Sequence, residues 1–567
     1  MMHAEKRLDL SMPAGAGARV KRNRNILISI ITCLELCGRQ GTALRAHRDN
    51  STFDGLDLGK FNAFVDFRSD SGDTVLREHM ESCSSRASYM SKTTQNALLD
   101  SMGEVVLKSI IDDVKASWYY VILADKVTDT SGWEQLGVAL CFARNGKPCE
   151  LLVKFVSCEK VRGKDICTAL LHTLQELGLD AGLCRGQSYG GAGNMSSAFS
   201  GCQAKFRQSS PHAPYYHYSS HQLNLALSKS STLPEIYGMV CTLKSLGIFF
   251  KFSPKGNRAL EQSNERVNEA RKAVNKPQVT KQSLRYCVTP SNSDKQWDVK
   301  AITEANGQLK TISSSQFIAA FRTNNFFFGF TKSLSVQLQG SSQDVLDAYR
   351  EIEVVKATLE DERRKVDEAF KRPYQKMCEL ARLAGIAREK HQTSIRIKIA
   401  ELECRFSAVP SSAIQGLLLV PSHPSALTDE KVDEVSTTFC FDLPSPQTFP
   451  REIQLWKQKW SIEKAADTKL PATLTMAFQE ATTVRFPNIH RIITILPVAP
   501  VTTATVERSN SALAYIKTEL RSTMSNNRLN DLVLLFVNKD IPLDYNAVVD
   551  LFIFKHPRRM LLVNPLE

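Results

Sequence analysis

The sequence predicts a mixed α/β chain, with a helical N-terminal region, a sheet of about five strands of mixed direction, a long all-helical segment and a helix-rich C-terminal part. Apolar residues recur every three or four positions before residue 116, short β-branched and aromatic runs follow, and helical periodicity returns from 233 to 470. The 567 residues, 43% of them hydrophobic, are enough for two to four domains and too apolar for a mainly disordered chain.

The N-terminal region is expected to comprise a disordered tail over residues 1–18 and a helical region over 19–116. The stretches VKRNRNILISIITCLELCGRQG and LLDSMGEVVLKSIIDDVKASW both have the spacing of amphipathic helices. The basic run ARVKRNR within the first fits a nuclear-import cluster, an arm that contacts a nucleic-acid backbone, or a solvated flexible terminus.

The sheet is predicted from a change of period after residue 117. The runs WYYVILA, LGVALCFA and ELLVKFVS read as three antiparallel strands, and the last two flank Asn145-Gly146, a strong hairpin signal. GKDICTALLHTLQELGLD then reads as a helix ending at Gly178, followed by a strand near Cys184, which together give a βαβ crossover. PYYHYS supplies a fifth extended run before the helical spacing of HQLNLALSKSS.

The charge of the chain favours an anionic partner. The net charge is +13 and the pI is near 9.0, so nucleic acid is the expected partner. The 14 cysteines are scattered, and the close pair Cys33 and Cys37 lacks the second pair that a zinc site requires. No signal peptide or membrane-spanning run of about 18 apolar residues is present, so we expect a soluble, intracellular protein without an N-terminal zinc finger.

A glycine-rich loop, CRGQSYGGAGNM over residues 184–195, raises the question of a nucleotide site. It lacks the Gly-Lys-Ser/Thr of a phosphate-binding loop, and it follows the fourth strand of a mixed sheet rather than the first strand of a parallel unit. A strand-to-helix turn that needs a positive φ also explains the glycines. The loop therefore does not predict nucleotide binding.

Four blocks, in chain order, resemble the transposase core of the hAT superfamily, and among its branches the transposase-derived zinc finger MYM-type proteins. They are ILADKVTDTSGWEQLGVAL, LGLDAGLCRGQSYGGAGNM, HYSSHQLNLAL and FPNIHRIITILPVAPVTTATVERSNSALAYIKTELRSTMSNNRLNDL. The resemblance implies a ribonuclease H-like core that is interrupted by a large all-α insertion. The core is expected over 117–232, the insertion over 233–470, and the end of the core with a dimerisation segment over 471–567.

The resemblance also implies a catalytic site of three carboxylates around two divalent metals, which serve phosphoryl transfer. Asp125 matches the first carboxylate and Glu507 the third, but Gly190 stands where the family has its second aspartate. We therefore expect a vestigial site with no metal, or Mg²⁺ if activity survives with Asp129 as a substitute ligand. Lys126 departs from the family pattern too, and it is expected to place a cation where the metal should bind.

Further departures lie around the residues that the resemblance assigns to nucleic-acid binding. Tyr218 replaces a cysteine three residues before His221, and Asn510 replaces a phenylalanine. Trp297 matches a tryptophan that stacks on a flipped base in active relatives, but it also fits a residue that packs against the core. His221 likewise fits a packed histidine. The basic residues of the last block either face nucleic acid or pair with acids, and these are Arg508, Lys517 and Arg521.

The last block also carries apolar residues that fit either the chain's own core or a dimer interface. They are Leu513, Ile516, Leu520, Leu529, Leu532, Leu535 and Phe536. The resemblance favours a homodimer. It predicts a catalytically inactive, dimerising nuclear scaffold with residual nucleic-acid binding, against which stand an active metal-dependent transposase and a pure protein-interaction module.

Overall fold

The computed structural model describes residues 16–45, 59–83, 88–190, 192–216, 234–251, 299–314, 416–422, 427–499 and 504–556, with isolated residues between 258 and 378. The chain divides into two compact units, of which the first comprises residues 1–218, 339–346 and 409–567. Its described N-terminal helices are α1 (Ala16–Arg39), α2 (Lys60–Asp70), α3 (Thr74–Ser82) and α4 (Lys92–Ser117). Since α1 begins at Ala16, the last three residues of the predicted tail are helical.

The sheet of this unit has four strands in the described residues, in the order β3-β2-β1-β4. The strands are β1 (Tyr120–Thr128), β2 (Glu134–Arg144), β3 (Lys147–Ser157) and β4 (Cys184–Tyr189). β1, β2 and β3 pair antiparallel, as predicted. The two-residue loop between β2 and β3 is Asn145-Gly146, with φ of 54° and 72°, and a turn of positive φ at both central residues matches the twist of the strands it joins.

The crossover after β3 is also as predicted. The helix α5 (Gly163–Glu176) ends before Gly178, whose φ of 61° suits glycine, and β4 then pairs parallel with β1. Of the predicted fifth strand, residues 217–219 lie outside the described residues, and the described part forms one parallel bridge between Gln187 and Tyr215. The short helices α6 (Gly193–Ser196) and α7 (Cys202–Ser209) lie between β4 and this bridge.

The two faces of the sheet bury different sets of residues. Tyr120, Ile122 and Ala124 of β1 join a large core with the N-terminal helices. The alternate residues Val121 and Leu123 pack in a second cluster, together with residues from the C-terminal part of the chain. This alternation, which follows from the period of two in a strand, decides where every side chain at the end of β1 lies.

The C-terminal part of the first unit is helical. Its helices are α10 (Asp429–Phe439), α11 (Phe449–Ala465), α12 (Leu474–Glu480), α13 (Pro487–Ile495), α14 (Ala504–Ile516), α15 (Asn526–Val537) and α16 (Tyr545–Lys555), which follow α8 (Pro234–Lys251) and α9 (Val299–Ile312) of the other unit. Val506 of α14 and Val498 complete the second cluster on the sheet.

The division into compact units differs from the predicted boundary at residue 470. The second unit comprises residues 219–338 and 347–408, so α10 and α11 belong with the sheet. Contacts of this segment agree with this division, because the buried Glu452 of α11 accepts a hydrogen bond from Ile489 N at 2.8 Å, and Asp442, between α10 and α11, accepts one from Arg185 of β4 at 2.6 Å. In the described residues, no helix is long and apolar enough to span a membrane.

Candidate active site

Asp125 and Gly190 lie side by side at the ends of two parallel strands. Ala124 of β1 is in register with Tyr189 of β4, so the next residue of each strand meets the other. A Cβ atom built on Gly190 would lie 2.7 Å from Oδ1 of Asp125. Gly190 therefore faces the carboxylate of Asp125 directly.

The helix that carries Glu507 packs against the same end of the sheet. Asn510 of α14 donates a hydrogen bond from Nδ2 to Oδ2 of Asp125, at 3.1 Å. Glu507 is exposed in the first turn of α14, one helical turn before Asn510. The fold thus brings Asp125, Gly190 and the first turns of α14 to one place.

A glycine of β2 makes this approach possible. Gly137 pairs with Asp125 across the sheet, and a Cβ atom on it would lie 3.3 Å from both Asn510 Oδ1 and Val506 Cγ1. Such a Cβ atom would also lie 3.0 Å from Phe155 Cε1 of β3, so a side chain at this position would force the neighbouring side chains of β3 and α14 to shift. Gly137 was not among the predicted site residues, although an isolated glycine inside a strand indicates a close approach.

The chemistry of this site does not fit a pair of metal ions. Asp125 offers one carboxylate, of which one oxygen is held by an amide donor and the other faces a residue without a side chain. No group of three His, Cys, Asp or Glu side chains that could hold a metal occurs in the described part of the chain. Mg²⁺ is held in proteins by carboxylate oxygens, and an amide N–H cannot serve as a ligand.

Lys126 does not lie where the sequence predicted. Because side chains alternate along β1, Lys126 points to the face opposite Asp125, and its Nζ lies 4.0 Å from Oε2 of Glu134. Its charge is therefore directed away from the metal position. The expectation that it blocks a metal was wrong for this geometric reason.

Asp129, predicted as a possible substitute ligand, is a buried structural residue. Its Oδ2 accepts from Lys517 Nζ at 2.7 Å and from Gln135 Nε2 at 3.1 Å. Its Oδ1 accepts from the backbone N–H groups of Ser131 and Trp133, at 2.8 and 3.1 Å. Burial alone would raise the pKa of Asp129, but these hydrogen bonds hold it below its usual range. Both oxygens are occupied, which leaves Asp129 unsuited to a metal.

The basic residues of the last block differ in their surroundings. Lys517 is 3% exposed and paired with Asp129, so it takes the structural alternative and does not face nucleic acid. Arg508 is exposed and donates to Oγ1 of Thr505 at 3.1 Å. Arg521 is partly buried and donates to two backbone carbonyls.

The remaining residues predicted to bind nucleic acid either fall outside the described residues or lie in a different environment from the one predicted. Trp297, His221 and Tyr218 are not described. The basic run of α1 is helical and partly paired, with Arg22 bonded to Glu78 at 2.6 Å. This region is therefore not a free basic tail.

Most of the residues predicted at the dimer interface are buried in the chain's own core. Five of them are at most 5% exposed and join the large core cluster, namely Leu513, Ile516, Leu529, Leu532 and Leu535. Phe536 is partly buried against the same core, whereas Leu520 is 86% exposed. The apolar residues that predicted a subunit interface therefore serve mainly to pack α14 and α15 within one chain.

Glu150 is a further site residue that the sequence did not single out. It pairs with Cys141 on the sheet face that carries α14. Burial raises the pKa of Glu150 to about 7, although a hydrogen bond with Thr505 and the charge of Arg508 lower it. A glutamate within an apolar strand is the signal that could have indicated it.

Comparison with known proteins identifies two regions of the chain. Residues 2–201 match the family described as ZMYM1/FAM200, RNase-like domain, and these residues carry Asp125 and Gly190. Residues 469–541 match the hAT family C-terminal dimerisation region, which carries Glu507. Each candidate position of the site thus lies in one of the matched regions.

Two mammalian proteins are similar over most of the chain, and both are named 52 kDa repressor of the inhibitor of the protein kinase. The human one is 26% identical over 585 residues, covering 94% of this chain and 76% of its own. The mouse one is 25% identical over 586 residues, covering 94% and 77%. The chain is thus similar to the ZMYM1/FAM200 RNase-like domain over residues 2–201 and to the hAT dimerisation region over 469–541, and both matches agree with its resemblance to transposase-derived proteins of the hAT superfamily.

Proposed function

We propose that this chain is a catalytically inactive, transposase-derived protein that works as a dimerising nuclear scaffold with residual nucleic-acid binding. In this proposal its sheet is a ribonuclease H-like core, and the unit of residues 219–338 and 347–408 is the helical insertion. One observation carries the inactivity, namely that Asp125 faces Gly190 and is held by the amide of Asn510.

The physical reason for the proposed inactivity is that phosphoryl transfer needs divalent metal ions, and negatively charged side chains to hold them. Two metal ions must activate the attacking oxygen and stabilise the leaving oxygen, and they need several carboxylates to hold them. With Gly190 in place of one carboxylate and Asp129 committed to Lys517, Asp125 and Glu507 remain. The carboxylates of Asp125 and Glu507, with the amide of Asn510 bonded to Asp125, provide too little negative charge to hold two divalent cations.

A cleavage assay tests the inactivity. The purified chain is incubated with Mg²⁺ or Mn²⁺ and with labelled duplex and hairpin-forming DNA ends, and strand products are separated on denaturing gels. We expect no product above the level of an Asp125→Ala variant. Metal-dependent cleavage by the unaltered chain that disappears in Asp125→Ala would overturn the proposal in favour of an active transposase.

The dimer is supported by the match of residues 469–541 to a dimerisation region. Leu520 is the apolar residue of this region that we place at the interface, because it is 86% exposed while the other leucine and isoleucine residues predicted there are buried in the chain's own core. Light scattering after gel filtration should show a dimer whose dissociation constant rises in Leu520→Asp. The control is Phe199→Asp, which alters a side chain that is 93% exposed outside the region. A monomeric unaltered chain, or an equal effect of both variants, would contradict the assignment.

Nucleic-acid binding is supported by the net charge of +13 and by the exposed Arg508 beside the vestigial site. A protein that neutralises phosphates releases counterions, so binding to duplex DNA should weaken steeply as salt rises. Fluorescence anisotropy at several salt concentrations measures this slope. Absence of salt-dependent binding would instead favour a pure protein-interaction module.

The similar mammalian proteins are named as repressors, and a regulatory role of this kind suits a scaffold without catalysis. We therefore propose that the chain is nuclear, because the nucleus is the compartment in which both such a role and DNA binding take place. Fluorescence microscopy of the tagged chain tests the localisation, and exclusion from the nucleus would refute it.

A further inference from the structure

Three arginines come together beside the start of α15. The chain turns back on itself between Arg521 and α15, where Met524 N donates to Arg521 O at 3.1 Å and Leu529 N donates to Ser525 O at 3.0 Å. Arg528 lies in the first turn of α15. Burial, and then the positive charges of Arg45 and Arg521, lower the pKa of Arg528 to about 10.

Among the described residues, none provides a counter-charge for the guanidinium of Arg528. Its Nε is buried without a hydrogen-bond partner, and no ion pair joins Arg528 to any residue that the structure describes. Arg521 donates only to the neutral backbone carbonyls of Ile516 and Gly41, at 3.1 and 3.4 Å. Two partly buried cations thus lie near each other without a carboxylate of the described chain between them, which is unfavourable.

The start of α15 adds positive potential at the same place. Its N-cap residue Ser525 makes no side-chain hydrogen bond to the helix, and its first turn carries no acidic residue. The N–H groups of a first turn point outward, and the helix dipole makes a cation such as Arg528 unfavourable there. All of these features are relieved by one bound anion.

We propose that Arg521, Arg528 and the first turn of α15, with Arg45 beside them, form a binding site for a phosphate-type oxyanion. The planar donors of a guanidinium match the oxygens of a phosphate in pairs, and helix N-termini bind the same group through backbone N–H. The inference goes beyond the proposed function, since the site accepts the phosphate of a free anion as well as that of a nucleic-acid backbone.

Calorimetric titration of the full chain with inorganic phosphate, at constant ionic strength, tests the site. We expect saturable binding to the unaltered chain and an affinity about 10- to 100-fold lower in Arg528→Met, the effect of losing hydrogen bonds to a charged group. Methionine retains the aliphatic packing of the arginine stem but not its charge. The matched control is Arg485→Met, which removes an exposed arginine and should bind phosphate normally.

Absence of saturable binding to the unaltered chain, or unchanged binding in Arg528→Met, overturns the proposal. If Arg528→Met does not fold, Arg521→Met takes its place, and its phosphate affinity is compared with that of the unaltered chain in the same way. A short single-stranded oligonucleotide then distinguishes the sources. Competition between oligonucleotide and phosphate assigns the site to a nucleic-acid backbone, and phosphate binding without competition assigns it to a free anion.

Discussion

The buried pair of Asp129 and Lys517 gives the sharpest test of the structure. Replacing Lys517 by Met removes the ammonium and leaves Asp129 with Gln135 and two backbone N–H groups. The two side chains are 0% and 3% exposed, so the remaining carboxylate has no water to solvate it. Loss of one partner of such a pair costs about 3–5 kcal/mol, and the three surviving donors place this case near the lower limit.

We therefore expect Lys517→Met to lower the free energy of unfolding by about 3 kcal/mol and, in a cooperative unit of this size, the Tm by roughly 4 °C. Urea denaturation and calorimetry measure both. Lys108→Met removes an exposed lysine of α4 and should change stability by less than about 0.5 kcal/mol. The combined Asp129→Asn and Lys517→Met variant should be more stable than Lys517→Met alone, because no charge stays buried.

The pH dependence provides a second sign. The pKa of Asp129 is held below its usual range, so the pair stabilises the fold above about pH 4, the unfolded pKa, and this contribution is lost as the pH falls through the folded pKa. The deficit of Lys517→Met should accordingly shrink in acid. A deficit below about 0.5 kcal/mol at pH 7 would show that the pair does not hold the fold together, and would reopen Lys517 as a surface cation.

Three further predictions concern the site and its helices. Gly190→Asp should raise the calorimetric affinity for Mn²⁺ at least about tenfold, because its Cβ would lie 2.7 Å from Asp125 Oδ1, and unchanged affinity would mean that the site has lost more than one ligand. Leu529→Ala should cost about 2–5 kcal/mol in urea denaturation, since Leu529 is fully buried, whereas a changed dimer affinity with unchanged stability would restore it to the interface. Glu150→Gln should stabilise the chain relative to the parent by up to about 3 kcal/mol at pH 8 but little at pH 5. The reason is that a carboxyl whose folded pKa is raised to about 7 makes the folded chain less stable as the pH rises. An equal difference at both pH values would contradict this sign.

Local signals in the sequence were sufficient for much of the sheet. Asn145-Gly146 and the flanking strand runs predicted the hairpin, and Gly178 predicted the end of the crossover helix. The described residues of the run PYYHYS make one bridge, at Tyr215, although the run has strand propensity. Strand propensity shows only that a residue is compatible with extended backbone, whereas a strand forms only where a neighbouring strand pairs with it.

The site was predictable only where it depends on strand ends. Asp125 and Gly190 meet because the parallel pairing of β1 with β4 ends at Ala124 and Tyr189, although β1 itself continues to Thr128. The partner of Lys517 was not predictable, since Asp129 is 388 residues away in the chain. Nor could the leucines of α14 and α15 be assigned, because an apolar stripe looks the same whether its own core or a second subunit covers it.

The hydrogen bond from Asn510 to Asp125 joins residues 385 positions apart, and this has a consequence for biosynthesis. The sheet face of Val121 and Leu123 is completed by Val506, so it stays uncovered until the ribosome has made α14. At 5–20 residues per second the interval is roughly 20–75 s, long compared with hydrophobic collapse. A nascent chain of this protein therefore lacks the residues that cover this apolar strand surface for most of its translation.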